Sequence, residues 1–486
     1  MTQSSKCGII EVTKHQTTED CAMAIIPQNH IKSQETESAI SRFLKNYRIG
    51  ELLYKCNAGK AKGFAVIDVF RYLLSLVFCD RSMYMQISTS RYTEVFGKNT
   101  VYRFLENSKT NWERFTLLLS AKITRLFGSL TSEDRADVFI IDDSLYSKTG
   151  YKKTELVSRV FDHVSMTMQK GFRMLVLGWS DGNSFVPILH RLLASSDDKN
   201  ILGVEKDFDK RSVAYKRRKQ SRTKATEVVM DMLNNAVKAG HKAKYVLFDR
   251  WFSTPATMIR IKKSFNLSTI AMLKKSSKVN YIFEGEKLDI KQIFARCKKR
   301  PGRSRFLLSV EAGLFCKDEH GAEIVIPAKI VCVRNRANRK DWLAMISTDI
   351  SLDENEIIRI YGKRWDIEVF FKTCKSMLKL SKECRSLSYD AMTAHVSIVM
   401  TRYMLLAVEK RTNEDDRSVG ELFFFITDEL EDITFNSALA LIVDALLASV
   451  QELFSISDDM LSQLVVNFSS RLPKYLRIAL NCQSVA

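Results

Sequence analysis

Three acids, far apart along the chain, have neighbours that suit them to phosphate chemistry. The stretch Tyr361–Lys375 reads YGKRWDIEVFFKTCK. On a helix at roughly 100° per residue, its Tyr361, Arg364, Glu368 and Lys375 share one stripe about 60° wide. Ile360, Ile367, Phe371, Cys374 and Leu378 fall on an adjoining apolar face, which would anchor the helix in a core. Upstream, two short apolar runs of strand length, Val138-Phe-Ile-Ile141 and Tyr245-Val-Leu-Phe248, each end in aspartate. The first ends in Asp142-Asp143-Ser144 and the second in Asp249.

Strand ends are where side chains of a central sheet converge on one rim, and a helix packed on the sheet can present Glu368 to the same point. Carboxylates forced together repel, so a divalent cation is the natural partner. Mg²⁺ is hard, prefers oxygen, and binds through a few carboxylates plus substrate phosphate oxygens. Two such ions would support in-line phosphoryl transfer, activating a water or a 3′-hydroxyl and stabilising the leaving oxygen. Arg364 and Lys375 would follow the phosphates, and Tyr361 would donate to a phosphate or stack on a base. A histidine-based mechanism finds no support, since neither His163 nor His190 stands in a serine or cysteine hydrolase context.

The spacing Tyr361-x2-Arg364-x3-Glu368-x6-Lys375 resembles the Y-R-E-K signature of bacterial insertion-sequence DDE transposases of the insertion-sequence-four type. IIDDS at 140–144 and VLFDRWF at 246–252 resemble that family's first and second catalytic regions. The resemblance implies a ribonuclease H-like (retroviral integrase-like) α/β core and two Mg²⁺ ions per active site, for which Mn²⁺ could substitute. It implies Asp142, Asp249 and Glu368 as metal ligands, with Tyr361, Arg364 and Lys375 on the terminal phosphates. Asp142, followed two positions later by Ser144, is favoured as first ligand, with Asp143 as the alternative. Trp251 and Trp342 are candidates to stack on a base, although each is more ordinarily a core tryptophan. The implied partners are double-stranded DNA, both terminal inverted repeats and target, and a second copy of the chain.

The elements needed to position these residues can be read in order. Residues 1–36 lack periodicity and read as a loose tail. A helical domain over 37–130 includes a short helix, Asn99–Leu105, that could enter a DNA groove. The catalytic core is expected over 131–273 and 346–382, with a hairpin turning at Asp181-Gly182-Asn183. A β-rich module is inserted over 274–345, and a helical region over 383–486 is a candidate dimer contact. Ser351-Leu-Asp-Glu354 has the form of a capping box for one helix running from about 352 to 379. The basic run with Lys216, Arg217, Arg218 and Lys219 reads as a phosphate-binding loop, and Lys298, Lys299, Arg300, Arg303 and Arg305 form a second basic cluster.

Composition agrees with such a partner. Against 56 Asp+Glu stand 75 Lys+Arg, a net charge of +19, which favours a polyanion. The ten cysteines include no CxxC pair and read as free thiols in a reducing compartment. The first thirty residues lack a signal-peptide pattern, and Val396–Val408 and Ala438–Val450 read as core helices, with no membrane partner. The expected setting is the bacterial cytoplasm, at the nucleoid. Two other readings are a metal-dependent nuclease on the same core, and a domesticated, non-catalytic DNA-binding protein.

Overall fold

The computed structural model describes residues 38–473, apart from 61, 80–81, 93, 133–134, 163–164, 302–303, 318–319, 336–337, 339, 381, 414–416 and 455. The expected tail over 1–36, His163 and Arg303 lie outside the described residues. One compact unit is Ala39–Phe424, and a second is described from Phe425 onward.

The larger unit opens with helices α1 (Ala39–Asn46), α2 (Ile49–Lys55), α3 (Val66–Ser75), α4 (Met83–Ser88), α5 (Lys98–Leu105) and α6 (Trp112–Ser129). Strands β1 (Val138–Ser147), β2 (Ser158–Asp162), β3 (Thr167–Ser180) and β4 (Phe185–Leu193) follow. Gly182 turns the β3–β4 hairpin at a φ of 90°, a left-handed conformation that glycine adopts without a Cβ clash. Helices α7 (Val213–Ser221) and α8 (Ala225–Lys238) lead to β5 (Tyr245–Phe248), and α9 (Pro255–Phe265) leads to β6 (Ser268–Met272). Both faces of β4 and β5 are buried, which is why those sequences are apolar runs rather than alternations.

Next come β7 (Asn280–Phe283), β8 (Glu286–Asp289), α10 (Ile290–Arg296), β9 (Leu308–Lys317), β10 (Glu323–Arg334) and β11 (Trp342–Ser347). These strands extend the central sheet instead of forming a module of their own. The order is β2-β3-β1-β5-β6-β11-β10-β9-β7-β8, with β4 paired to β3. β11 crosses the expected boundary at 345 and pairs antiparallel with β6, satisfying a strand edge that would otherwise carry unpaired N–H and C=O groups.

The long helix expected over 352–379 is two helices, α11 (Glu354–Gly362) and α12 (Trp365–Ser376). Between them the backbone tightens into i→i−3 hydrogen bonds: Lys363 N to Ile360 O (3.0 Å), Arg364 N to Tyr361 O (3.0 Å) and Asp366 N to Lys363 O (3.0 Å). Lys363 anchors this turn, its buried Nζ donating to Ala136 O at 2.6 Å and Asp181 O at 3.0 Å. The cap is not Ser351 but Asp353, whose carboxylate accepts from Glu356 N at 2.9 Å. Ser351 is instead bound by its hydroxyl to Asp349 at 2.6 Å.

Helix α13 (Tyr389–Thr412) is long and apolar enough to cross a membrane, yet it is buried within the fold, packed against α6 and β4. Its Arg402, 1% exposed, is matched by Glu383 at 2.6 Å and by the carbonyls of Leu73, Leu74 and Leu378. α14 (Val419–Phe454) begins in this unit, and the second unit carries the rest of it and α15 (Asp458–Arg471). Ala438–Val450 is helical as expected, with Val443 and Leu447 buried on one face and Ile442 and Leu446 exposed on the other.

Candidate metal and phosphate site

The parallel pairing of β1 with β5 aligns Val138 with Tyr245 and Ile141 with Phe248. One residue further on, the same register brings Asp142 level with Asp249 on adjoining strands roughly 4.8 Å apart. Asp249 stands just past the end of β5, whereas Asp142 is not at the expected strand end but midway along β1, which runs on to Ser147 against β3. Both carboxylates are largely shielded from water, and each has a raised proton affinity. Burial pushes Asp142 up to about 7, with Arg364 opposing and Asp249 reinforcing the shift. Burial also raises Asp249, although its carboxylate accepts from Trp251 N at 2.9 Å, and the field of Asp143 adds to the rise.

Glu368 enters from α12. The Arg364 guanidinium donates to Asp142 Oδ2 at 3.1 Å and to Glu368 Oε1, so one cation joins an acid of the sheet to an acid of the helix. Tyr361 lies beside the same guanidinium, 5.9 Å from ring centroid to Arg364 Cζ. Burial raises its phenol to about 12, with Arg364 opposing and the fields of Asp249 and Asp142 adding to the rise. Tyr361, Arg364, Glu368, Asp142 and Asp249 therefore form one electrostatic cluster. Among the described residues, no three His, Cys, Asp or Glu side chains stand together as a ready metal cage. The all-oxygen donors and the buried negative charge fit a hard divalent cation at Asp142 and Asp249, and Glu368 would join them once Arg364 turns to a phosphate.

Asp143 points to the other face of β1, where Arg173 holds both its oxygens, with Nε and Nη2 each at 2.6 Å. That pairing leaves Asp142 as the acid directed at Arg364. Lys375 is exposed at the far end of α12, where it lies in the field of Asp162.

The basic run at 210–224 contains a helix, and two of its four expected phosphate contacts face inward. Arg217 is bound to Asp390 and to Thr110 O (2.5 Å), while Arg218 is bound to Glu155 (2.6 Å) and Asp390 (2.8 Å). The acids of α13 and the loop before β2 take these guanidinium groups as buried ion-pair partners, while Lys216 and Lys219, the other two of the four, are exposed. Neither tryptophan is a core residue. Trp251 is 43% exposed, with Arg173 Cζ and Lys274 Nζ each 5.5 Å from its ring centroid. Trp342 stacks on Phe294 at 4.1 Å with Lys275 Nζ 4.2 Å from its ring. Arg173 and Lys274 were missed by the sequence reading. The hairpin register would have found Arg173, because it pairs with Leu145, diagonal to Asp143.

Residues 71–286 match the family model described as DDE superfamily endonuclease. The chain is similar to that family over this span, which takes in Asp142, Asp143 and Asp249 and ends before Glu368. The match supports a metal-dependent nuclease or transposase-type activity on a DNA substrate. No curated protein matches the chain.

The raised Asp142 has a consequence for stability. An aspartate in an unfolded chain loses its proton near ~3.9, whereas the folded carboxyl keeps it to about 7. Between those values the folded state binds more protons, so stability falls as pH rises and the penalty is complete above about 7. Asp142→Asn keeps an acceptor for Arg364 and removes the buried charge. It is expected to raise the thermal midpoint at pH 8 by an amount equivalent to ~2–4 kcal/mol, and to leave it near the parental value at pH 4. A shift of equal size at both pH values would contradict the assignment.

Proposed function

We propose that this protein is a transposase of the insertion-sequence-four type, which cuts DNA at transposon ends and joins the exposed 3′-ends to target DNA. The observation that carries the reading is the level placement of Asp142 and Asp249 with Arg364 linking Asp142 to Glu368. Strand order β4-β3-β1-β5-β6, in which β3 alone runs opposite to the rest, supports a ribonuclease H-like core with the acids at its rim.

Asp142, Asp249 and Glu368 would hold two Mg²⁺ ions, or Mn²⁺ in substitution, which when bound lower the pKa of the attacking hydroxyl and stabilise the leaving oxygen. In the first step a water oxygen bonds to phosphorus as the bond to the 3′-oxygen of the transposon end breaks, leaving a 3′-hydroxyl on the end and a 5′-phosphate on the flank. In the second, that 3′-hydroxyl attacks a target phosphorus and the target's own 3′-oxygen leaves. Arg364 and Tyr361 hold the scissile phosphate, and Lys375, some 16 Å along the helix from Arg364 at roughly 1.5 Å per residue, contacts the strand further from the cut. Lys216 and Lys219 add backbone contacts, and exposed Trp251, beside Asp249, is placed to stack on an unpaired base. Helix α5 exposes Lys98, Tyr102 and Arg103 and is the candidate reader of the terminal inverted repeats.

A second copy of the chain would pair through α14, where Phe435, Ile442, Leu446 and Leu453 form an exposed apolar stripe at spacings of 7, 4 and 7 residues. The reaction would take place on the bacterial chromosome. A nuclease that cuts without joining is the second reading, favoured by the family description itself.

Purified protein with Mg²⁺ and a duplex carrying the element's end should give both nicked and joined products on a sequencing gel. Asp249→Asn and Glu368→Gln should each lower both by at least ~100-fold while DNA binding persists. Cutting without joining would select the nuclease, and full activity in either variant would remove the assignment. Light scattering should give a dimer for the parent chain and a monomer for Ile442→Asp/Leu446→Asp, and an unchanged mass would rule out the α14 contact.

A further inference from the structure

The second basic cluster finds a place once the sheet is followed outward from the acids. β1, β5 and β6 run parallel, so the end of β6 lies level with Asp142 and Asp249. Met345 of β11 pairs with Met272, Arg334 of β10 pairs with Trp342, and Leu308 of β9 pairs with Cys332. The starts of β11 and β9 and the end of β10 therefore lie on the same rim as the two aspartates. Five strand steps at roughly 4.8 Å carry that rim about 24 Å from β1 to β9.

Beyond Asp249 the rim is cationic. Lys274 stands over Trp251, Lys275 over Trp342, Lys299 over Phe294 at 4.8 Å, and Arg300 over Phe306 at 4.2 Å. The backbone N–H of Arg300 donates to Leu307 O at 2.8 Å, which ties this loop to the strand ends. Arg305 and Arg334 are exposed at the ends of the same strands. Acids near it among the described residues include Asp341, engaged by Lys275, Glu354, which lies in the field of Arg300, and Glu284, paired with Arg296 at 3.4 Å. Residues 274–345 hold 17 Lys+Arg and 8 Asp+Glu, a difference of +9 within the chain's +19.

We infer that this rim is a second DNA contact, a track for the sugar-phosphate backbone of a duplex running from the acids across Lys274, Lys275, Lys299, Arg300, Arg305 and Arg334. A length of about 24 Å spans roughly seven base-pair steps of 3.4 Å. The contacts are to phosphates, so the track holds DNA without reading its sequence. The inference rests on the DNA-processing reading for the identity of the polyanion, not for any catalytic step.

The test is a salt series of fluorescence anisotropy with a labelled 30-base-pair duplex of arbitrary sequence. Arg305→Gln/Arg334→Gln should weaken binding about 10-fold at moderate salt and make the slope of log affinity against log salt shallower by about 2. The matched double Lys287→Gln/Lys317→Gln, away from this rim, should leave both unchanged. Equal weakening by the two doubles, or none by the first, overturns the track. Because binding needs no cleavage, an Asp249→Asn protein that still cuts would refute the catalytic reading while leaving this measurement intact.

Discussion

The structure depends on the pairing of two short parallel strands. With Ile141 level with Phe248, the next residue of each strand is an aspartate, and the two carboxylates are brought together where water is scarce. Two like charges in that setting are costly, and the fold meets the cost with a guanidinium. Arg364 shares itself between Asp142 and Glu368, so the same residue neutralises the sheet's acid and positions the helix's acid. In the proposed reaction a divalent cation would compete for the same oxygens, and a DNA phosphate for the guanidinium.

Placing Arg364 there requires the tightened turn at Lys363. There the Lys363 ammonium reaches inward to the carbonyls of Ala136 and Asp181, just before β1 and in the β3–β4 turn. The helix pair is thereby fixed to the one end of the strand system where β1 begins and β3 finishes. Sheet continuity does the corresponding work on the other side, where β11 joins the inserted strands to β6 and puts their loops on the rim that carries Asp142 and Asp249.

Much of this was legible in the sequence, and the failures have physical causes. Apolar runs ending in Asp142 and Asp249 marked the strands, because a strand buried on both faces has no polar positions until it emerges. The single helix over 352–379 was a wheel argument, and a wheel cannot sense a buried lysine anchoring a tighter turn. Arg217 and Arg218 look like solvated cations in a basic run. Their partners, Glu155 and Asp390, lie 63 and 172 residues from Arg218, a separation that no local pattern can reveal. The inserted strands showed as alternating segments, but sequence alone did not show that their edge would complete the central sheet.

The claim on which the account stands is that Asp142, Asp249 and Glu368 serve one divalent cation site. Mn²⁺ titration followed by electron paramagnetic resonance at pH 8, on the parent chain with an uncleaved duplex and on Asp142→Asn, Asp249→Asn and Glu368→Gln, tests it without any catalytic readout. The account predicts that each substitution weakens Mn²⁺ binding by about 10-fold or more. Unchanged affinity in the Glu368→Gln protein would contradict it, because the helix would then contribute nothing to the ion.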